Sequence, residues 1–474
     1  MSQPTLNLVA STENPDGTSQ ANRSDPRNTK DPFFKSVQWA ADGTTLFTSS
    51  STNHISSFVL PESLLDPSRT SPLTLAPQAT ISLPEPTSAI APCPYFALEN
   101  PSTQVLLTAC TDHPIHLHHI FPPSNSASPP PIASFRLIKH ETEAYLPVAS
   151  LIWPSPGTHF IAGTTHRIAL WDVSRPDAGM SAEPVVTIPT IPSTRYLIKG
   201  GGVGMRGTVS SMALQSAGQE GLLAAGTWTR WIGLYDLTRA GNCVVANWGV
   251  KGAADETGIE GKGIVQTVWS PCGRYLVVNE RGSGGMLVYD LRGTNKLLGV
   301  LKGRDGYTNQ RLSCDVFPGT EEKGGFEVWA GTREGGVVVY EGVGMSEGDL
   351  EPVWGLRAAH GSAVGSAAMH LSGSVLATCS GSWAIVDESG SESESDSGSE
   401  SGSDEDSDEE SGGSESESES ESESGSEASL TVKRPKSGKS RIVVGETSLK
   451  VWSIGPSSSE HDHEEERDDD NRDQ

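Results

Sequence analysis

The sequence predicts an all-β fold, a seven-bladed β-propeller, on three observations. The first is an apolar-x-apolar-aromatic cadence that occurs seven times, ending at Phe58, His118, Trp171, Tyr235, Tyr289, Tyr340 and Trp452. The second is its spacing, with successive copies 60, 53, 64, 54, 51 and 112 residues apart. The third is the turn that precedes each copy, such as AADGTTL, SPGTHF, SPCGRYL or LSGSVL, followed by a β-rich run such as LLAAG or LVVNE. Together they define a unit of three or four short strands, close to the ~40–50-residue period of WD-type and kelch-type blades. Such a unit cannot bury both of its faces alone, and radial packing of blades hides them against each other. The long last step contains 55 residues, Asp387 to Arg441, that do not read as propeller; without them it shrinks to 57 and rejoins the series.

Each blade can be read from inside outwards. In the fourth, TVSSMAL, LLAAG, IGLYDL and CVVANW supply four strands, and the cadence marks the third. The same position is clear in RIALWDV (Arg167 to Val173), WIGLYDL (Trp231 to Leu237) and GMLVYDL (Gly285 to Leu291). After Trp452 the chain offers SIGPSSSEHDHEEERDDD, which lacks the alternation of a strand, so blade seven needs its fourth strand from elsewhere. The expected donor is residues 1–12, where TLNLVAST places Leu6 and Leu8 on one half-buried face. The expected organisation is then a polar linker over 13–30, blades one to seven over 31–386, and a disordered acidic and basic insertion over 387–441. The end of blade seven follows over 442–455, with an acidic tail over 456–474. Pro-rich stretches at 67–94 and 121–131 read as long loops around the second blade.

With 474 residues, 51 of them Gly and 31 Pro, the chain suits many turns between short strands, and the repeat overrides the several domains that length alone suggests. No apolar stretch reaches the roughly 20 residues needed to cross a bilayer, and MSQPTLNLVASTENPDG lacks the basic and apolar regions of a secretion signal. The expectation is a soluble intracellular protein. Six cysteines, Cys93, Cys110, Cys243, Cys272, Cys314 and Cys379, contain no C-x-x-C pair and read as small buried hydrophobes. The net charge of −26 is local: residues 387–430 carry 18 acids and no base, residues 460–474 nine acids and two bases, and the remainder of the chain stands at −1. The propeller itself is therefore open to an anionic partner.

Motifs of small-molecule chemistry fail on context. Gly202, Gly204 and Gly207 form G-x-G-x-x-G, but the run continues into the β-alternating TVSSMAL and not into a helix. ETGIEGKG has Glu256 where a phosphate-binding loop needs its first glycine. HPIHLHH holds His113, His116, His118 and His119, but the run does not have the ligand spacing of a zinc site, so no metal site is expected; His118 takes the place of a blade tryptophan. No activated nucleophile or paired carboxylates are found, so no catalytic residue and no cofactor are assigned. KRPKSGKSR, with Lys433, Arg434, Lys436, Lys439 and Arg441, reads as a nuclear import run or a solvated basic patch.

A less obvious pattern emerges when the turns between second and third strands are aligned. They carry Asn53 and His54, His113, His166 and Arg167, Arg230, Arg281, and Arg333 in successive blades. All such turns point to one face, which also presents the loops leading into the inner strands, with Arg206, Lys262, Arg304, Tyr307 and Arg311 and, close by, Trp228 and Trp231. Guanidinium groups hold phosphate and stack on bases, and aromatic rings give bases a platform. Arg167, Arg230, Arg281, Arg292, Arg304, Arg311, Arg333, His113 and Tyr307 are the resulting RNA-binding candidates. The competing reading is that these arginines pair with acids inside the propeller, as Arg333 could with Glu334.

Several phrases go beyond the generic repeat: FFKSVQWAADGTTLFTSS (33–50), CTDHPIHL (110–117), FIAGTTHRIALWDVSRPDAG (160–179), GLYDL (233–237), VYDLRG (288–293) and TNQR (308–311). In these phrases, in LVASTENP and in an acidic insertion within the last blade, the chain resembles the telomerase Cajal body protein family of WD-repeat propellers, with its fungal splicing-associated relatives. The likeness covers nearly all of residues 5–455. It implies a non-enzymatic nuclear scaffold, with Cajal bodies as one nuclear site. Its partners would be small nuclear or Cajal body RNA and box H/ACA or spliceosomal ribonucleoprotein proteins, with no membrane and no small-molecule substrate. The alternative within the resemblance is a spliceosome-associated factor that acts through protein contacts. The glycine-rich 251–263 replaces the Gly-His element in the fifth blade, and Pro-rich loops enlarge the second.

Overall fold

The computed structural model describes residues 4–13, 32–122, 129–139, 141–175, 184–191, 204–215, 221–238, 244–293, 296–387 and 440–455. The chain divides into two compact units, Met1–Ser382 with Val444–Gln474, and Trp383–Val443. The first is a seven-bladed β-propeller. Its sheets are built, inner strand first, from Phe34–Trp39, Thr45–Ser50, His54–Val59 and Ala79–Ser82 (blade one) and Thr87–Pro92, Val105–Cys110, Ile115–His119 and Ala133–Phe135 (blade two). Blade three has Ser150–Ile152, His159–Thr164, Arg167–Asp172 and Val186–Pro189; blade four has Val209–Leu214, Leu222–Thr227, Trp231–Asp236 and Val244–Gly249. Blade five has Ile264–Trp269, Tyr275–Glu280, Met286–Asp290 and Lys296–Leu301, and blade six Cys314–Pro318, Phe326–Gly331, Val337–Val343 and Trp354–Leu356.

Blade seven joins distant parts of the chain. Val364–Met369, Val375–Ser380 and Leu449–Gly455 are followed on the outside by Thr5–Ser11, which runs antiparallel to the third strand from Thr5 opposite Gly455 to Ser11 opposite Lys450. Leu6 and Leu8 pack against a cluster that includes Trp329, Met369 and Trp452. Two outer strands gain a fifth, parallel partner: Leu73–Thr74 on Thr5–Ser11, and Gly348–Leu350 on Lys296–Leu301. A separate two-stranded sheet pairs Trp383–Asp387 with Ser440–Val444.

The cadence does what its spacing implies. Phe58, His118, Trp171, Tyr235, Tyr289, Tyr340 and Trp452 are all buried in third strands, where each fills the seam toward a neighbouring blade. Phe135, Phe160 and Trp171 make edge and stacked contacts, their centroids 4.9–6.1 Å apart. In blade seven the seam is polar and hydrogen-bonded. Trp452 Nε1 donates to Thr378 Oγ1 at 2.8 Å, His360 Nε2 lies 2.7 Å from the same hydroxyl, and His360 Nδ1 lies 2.8 Å from Ser448 Oγ. A satisfied buried network fixes one packing arrangement. His118, in the tryptophan place of blade two, has neither ring nitrogen paired among the described residues, and burial first and His116 second take it down to about 4, so the ring is neutral.

Four features differ from the reading of the sequence. The Pro-rich stretch 67–94 holds three strands, Leu73–Thr74, Ala79–Ser82 and Thr87–Pro92, because its prolines fall between strands or at a strand end where no ladder hydrogen bond is lost. The glycine-rich 251–263 begins with a helix, Lys251–Thr257, ended by Gly258 at φ 74°. The paired strand Trp383–Asp387 begins before the expected insertion, and Ser440–Val444 runs past its end. Cys272 is exposed in a turn, unlike buried Cys93, Cys110, Cys314 and Cys379; Cys243 lies outside the described residues. The bulk of the acidic segment, 388–439, and the tail, 456–474, also lie outside them.

Candidate nucleic-acid interface

The turns between second and third strands are tight, and each of the first six blades places one residue there with a left-handed backbone. These are Asn53, Asp112, His166, Arg230, Gly282 and Gly335, with φ of 64°, 55°, 57°, 66°, 63° and 90°. Non-glycine residues are strained at such angles. The geometry nonetheless holds the flanking side chains on one face, at the end of the propeller where the inner strands begin.

The structure separates the nine candidates. Arg230 is enclosed at the seam between blades four and five: its Nε and Nη2 donate to Glu280 at 2.8 and 2.9 Å, and its Nη1 lies 3.6 Å from Asp255 on the short helix. Arg304 is 3% exposed, donating to the Gly331 carbonyl and to Asn279 Oδ1, both at 2.9 Å. Burial makes it a brace between blades five and six, out of reach of a ligand. Arg333 pairs with Asp305 at 3.1 Å on the surface, and also lies 3.9 Å from Glu334. Arg292 lies at the opposite end of blade five, because it follows the third strand; there it grips Asp290 at 2.7 and 3.0 Å and stands 5.7 Å from the Tyr275 ring.

Arg281 and Arg311 lie near each other instead, and Tyr307 stands beside the turn that follows Arg281. The Arg281 guanidinium stands 6.0 Å from the centroid of the Trp228 ring, which is 50% exposed. Tyr307, also 50% exposed, lies against Gly284 so closely that a Cβ there would fall 2.3 Å from its hydroxyl. Lys262 closes the gap: its backbone N–H donates to the Arg281 carbonyl at 2.9 Å, and its stem would meet a Cβ at Gly282. Exposed aromatic, cation, exposed aromatic thus follow one another along the rim of blades four to six. Arg311 reaches inward from the loop before blade six, and its Nη2 donates to the Ser210 carbonyl of blade four at 3.3 Å. Farther round, Arg167 is half-buried at the start of its strand, His166 is lowered by burial and then by the charge of Arg206, and His113 Nδ1 lies 2.8 Å from the Thr111 carbonyl.

Lys35 was not among the sequence candidates. It sits at the start of the inner strand of blade one, where its Nζ donates to the Thr87 carbonyl of blade two at 3.0 Å. Its signal in FFKSVQW is a single cation in an otherwise apolar and small inner strand. Burial, then the charge of Arg311, lowers Lys35; burial, then Arg281, lowers Arg311. Among the described residues no carboxylate lies within ion-pairing distance of Lys35, Arg281 or Arg311. Lys433, Arg434, Lys436 and Lys439 of the basic run lie outside the described residues, while Arg441 falls on Ser440–Val444.

No family model matches the chain. It is 25% identical over 312 residues to "Guanine nucleotide-binding protein negative regulator 1" of Schizosaccharomyces pombe, covering 64% of this chain and 69% of that protein. It is 26% identical over 366 residues to human "Telomerase Cajal body protein 1", covering 76% and 59%, and 24% identical over 276 residues to "Protein SWT21" of Vanderwaltozyma polyspora, covering 56% and 58%. The matches thus span between 58% and 69% of these three relatives' own lengths. With seven sheets carrying the repeat and with these similarities along the propeller, the chain resembles the telomerase Cajal body proteins and their fungal relatives, as its own phrases predict.

Proposed function

We propose that this propeller is a non-enzymatic scaffold that binds a small nuclear non-coding RNA, of the small Cajal body or telomerase box H/ACA class, and helps assemble or localise its ribonucleoprotein. The observation that carries the reading is the rim of Trp228, Lys262, Arg281 and Tyr307, where exposed rings alternate with cations that no described acid neutralises. Rings supply sequence-tolerant stacking and cations supply phosphate contacts. The relatives' names support a nuclear setting, with the Lys433 to Arg441 run as import signal.

The test is ultraviolet cross-linking of the tagged protein in cells, with sequencing of the RNA recovered. Enrichment of a small nuclear RNA class that is lost with Arg281→Gln and Tyr307→Ala together supports the reading; recovery of only background RNA overturns it. A second reading, a scaffold in splicing complexes that acts through protein contacts alone, is favoured by the internal pairing of Arg230, Arg292, Arg304 and Arg333. It predicts co-purification of spliceosomal proteins that survives ribonuclease treatment.

A further inference from the structure

We infer that Lys35, Arg281 and Arg311 form a seat for a single phosphate group at the mouth of the central channel, inside the stacking rim. The inference rests on the RNA reading for its natural ligand, a backbone phosphate of a single strand, but its geometry stands apart from that reading. The three cations come from blades one, five and six, at the end of the propeller where the inner strands begin, and Lys35 and Arg281 each lie close enough to Arg311 for their charges to act on one another.

Two of them are already held in place. Lys35 Nζ commits one of its three donors to the Thr87 carbonyl, and Arg311 one of its five to the Ser210 carbonyl. The remaining donors are available to a ligand. The loop that presents Arg311 is tied across to blade seven, because Gln310 Nε2 donates to the Gly381 carbonyl at 2.6 Å. Lys35 is closely packed from the same side: a Cβ on Gly365 would fall 2.9 Å from the Lys35 carbonyl and 3.8 Å from Gln310 Nε2. The positions are therefore preorganised, which reduces the entropy lost on binding.

Nothing in the described structure answers the charge. Arg281 Nε is buried without a hydrogen-bond partner among the described residues, a donor that an anion could take. Like charges confined in a half-buried space repel: besides burial, which acts first on both, the charge of Arg311 lowers Lys35 and that of Arg281 lowers Arg311. An anion between them removes the repulsion and supplies the missing acceptor. A phosphate suits the site because guanidinium pairs bidentately with it and the ammonium adds a point charge. A flat basic rim would contact many phosphates about equally. A seat at a channel mouth takes one, from a strand that turns inward while the neighbouring base stays on Trp228.

The experiment uses the full chain in two arms. In the first, melting is followed with inorganic pyrophosphate, a free polyphosphate. In the second, binding is measured for a ten-nucleotide RNA from the cross-linked site, in a series where each phosphate in turn is made a neutral methylphosphonate. The expected results are a pyrophosphate-dependent rise in melting temperature, and one position at which the neutral group weakens binding about tenfold. Both should vanish in Lys35→Gln with Arg311→Gln and persist in Arg292→Gln on the opposite end. Lys35→Arg, which keeps the charge, should retain both effects and guards against a variant that merely misfolds. If RNA binds but no single position dominates and pyrophosphate gives no rise, the seat is wrong and the RNA reading stands. If pyrophosphate protects through Lys35 and Arg311 while no RNA is recovered, the seat stands and its natural ligand is a free polyphosphate.

Discussion

Arg230 and Glu280 are joined by two hydrogen bonds across the seam of blades four and five, with side chains 12% and 2% exposed. The partner lies 50 residues away and on another blade, and it holds an arginine whose turn has a left-handed backbone. Removing one member leaves the other as an uncompensated buried charge. Arg230→Ala should therefore destabilise the propeller by about 3–5 kcal/mol in urea unfolding, whereas Arg230→Met with Glu280→Met should recover most of the loss. Equal unfolding midpoints for the wild type and Arg230→Ala would contradict the pairing.

Deleting residues 1–12 should lower the melting temperature by at least ~5 °C, because it uncovers the edge of Leu449–Gly455 and the apolar contacts of Leu6, Leu8 and Ala10. Leu8→Asp should reproduce part of the loss. A melting curve that is unchanged by the deletion would show that blade seven is complete without the strand.

Trp228→Ala should weaken binding of single-stranded RNA by about tenfold, within the ~1–3 kcal/mol that a stacked base contributes. Half of the ring is exposed, so the stability change should stay within about 0.5 kcal/mol. Fluorescence anisotropy and thermal melting on the same preparations separate the two effects, and Trp228→Phe should be intermediate in binding.

Asp315, on the inner strand of blade six, is pushed up to about 6 by burial, although the backbone N–H groups of Met369 and Val316 work against the shift. The folded state then keeps the proton more tightly than the unfolded state. Stability from this group is present below about pH 4 and is lost as pH rises toward 6. Asp315→Asn should remove that loss, so the stability difference, variant minus wild type, should grow between pH 4 and 6 and then level off. A difference independent of pH would show that the carboxyl is not shifted.

The seven third-strand residues from Phe58 to Trp452 were legible because a buried seam demands an apolar or aromatic side chain at a fixed distance from a turn. Which arginines are neutralised inside the propeller was not. Glu280 is 50 positions from Arg230 and Asp305 is 28 from Arg333, so the neutralising acid is brought in by blade packing, which no local pattern records. Arg304 and Arg311 stand seven residues apart on one loop, yet one is buried against Asn279 and the other crosses toward Ser210. Lys35 escaped because a lone lysine beside apolar residues reads as an ordinary strand terminus. The strands within 67–94 escaped because prolines mark loops and strand ends alike.

Thr5 pairs with Gly455, so the last sheet cannot be completed until about 450 residues have been made after its outer strand. At roughly 5–20 residues per second, that strand waits ~20–90 seconds on the ribosome with its intended neighbour not yet synthesised. Through that interval six blades can assemble with an open gap, and the waiting strand is an edge able to pair wrongly. Ring closure is thus a late event in time as well as a long one in sequence. Yield of the folded protein should depend on how quickly synthesis passes through the low-complexity stretch before Leu449, and slowing that stretch would act as a folding defect with no change to any residue.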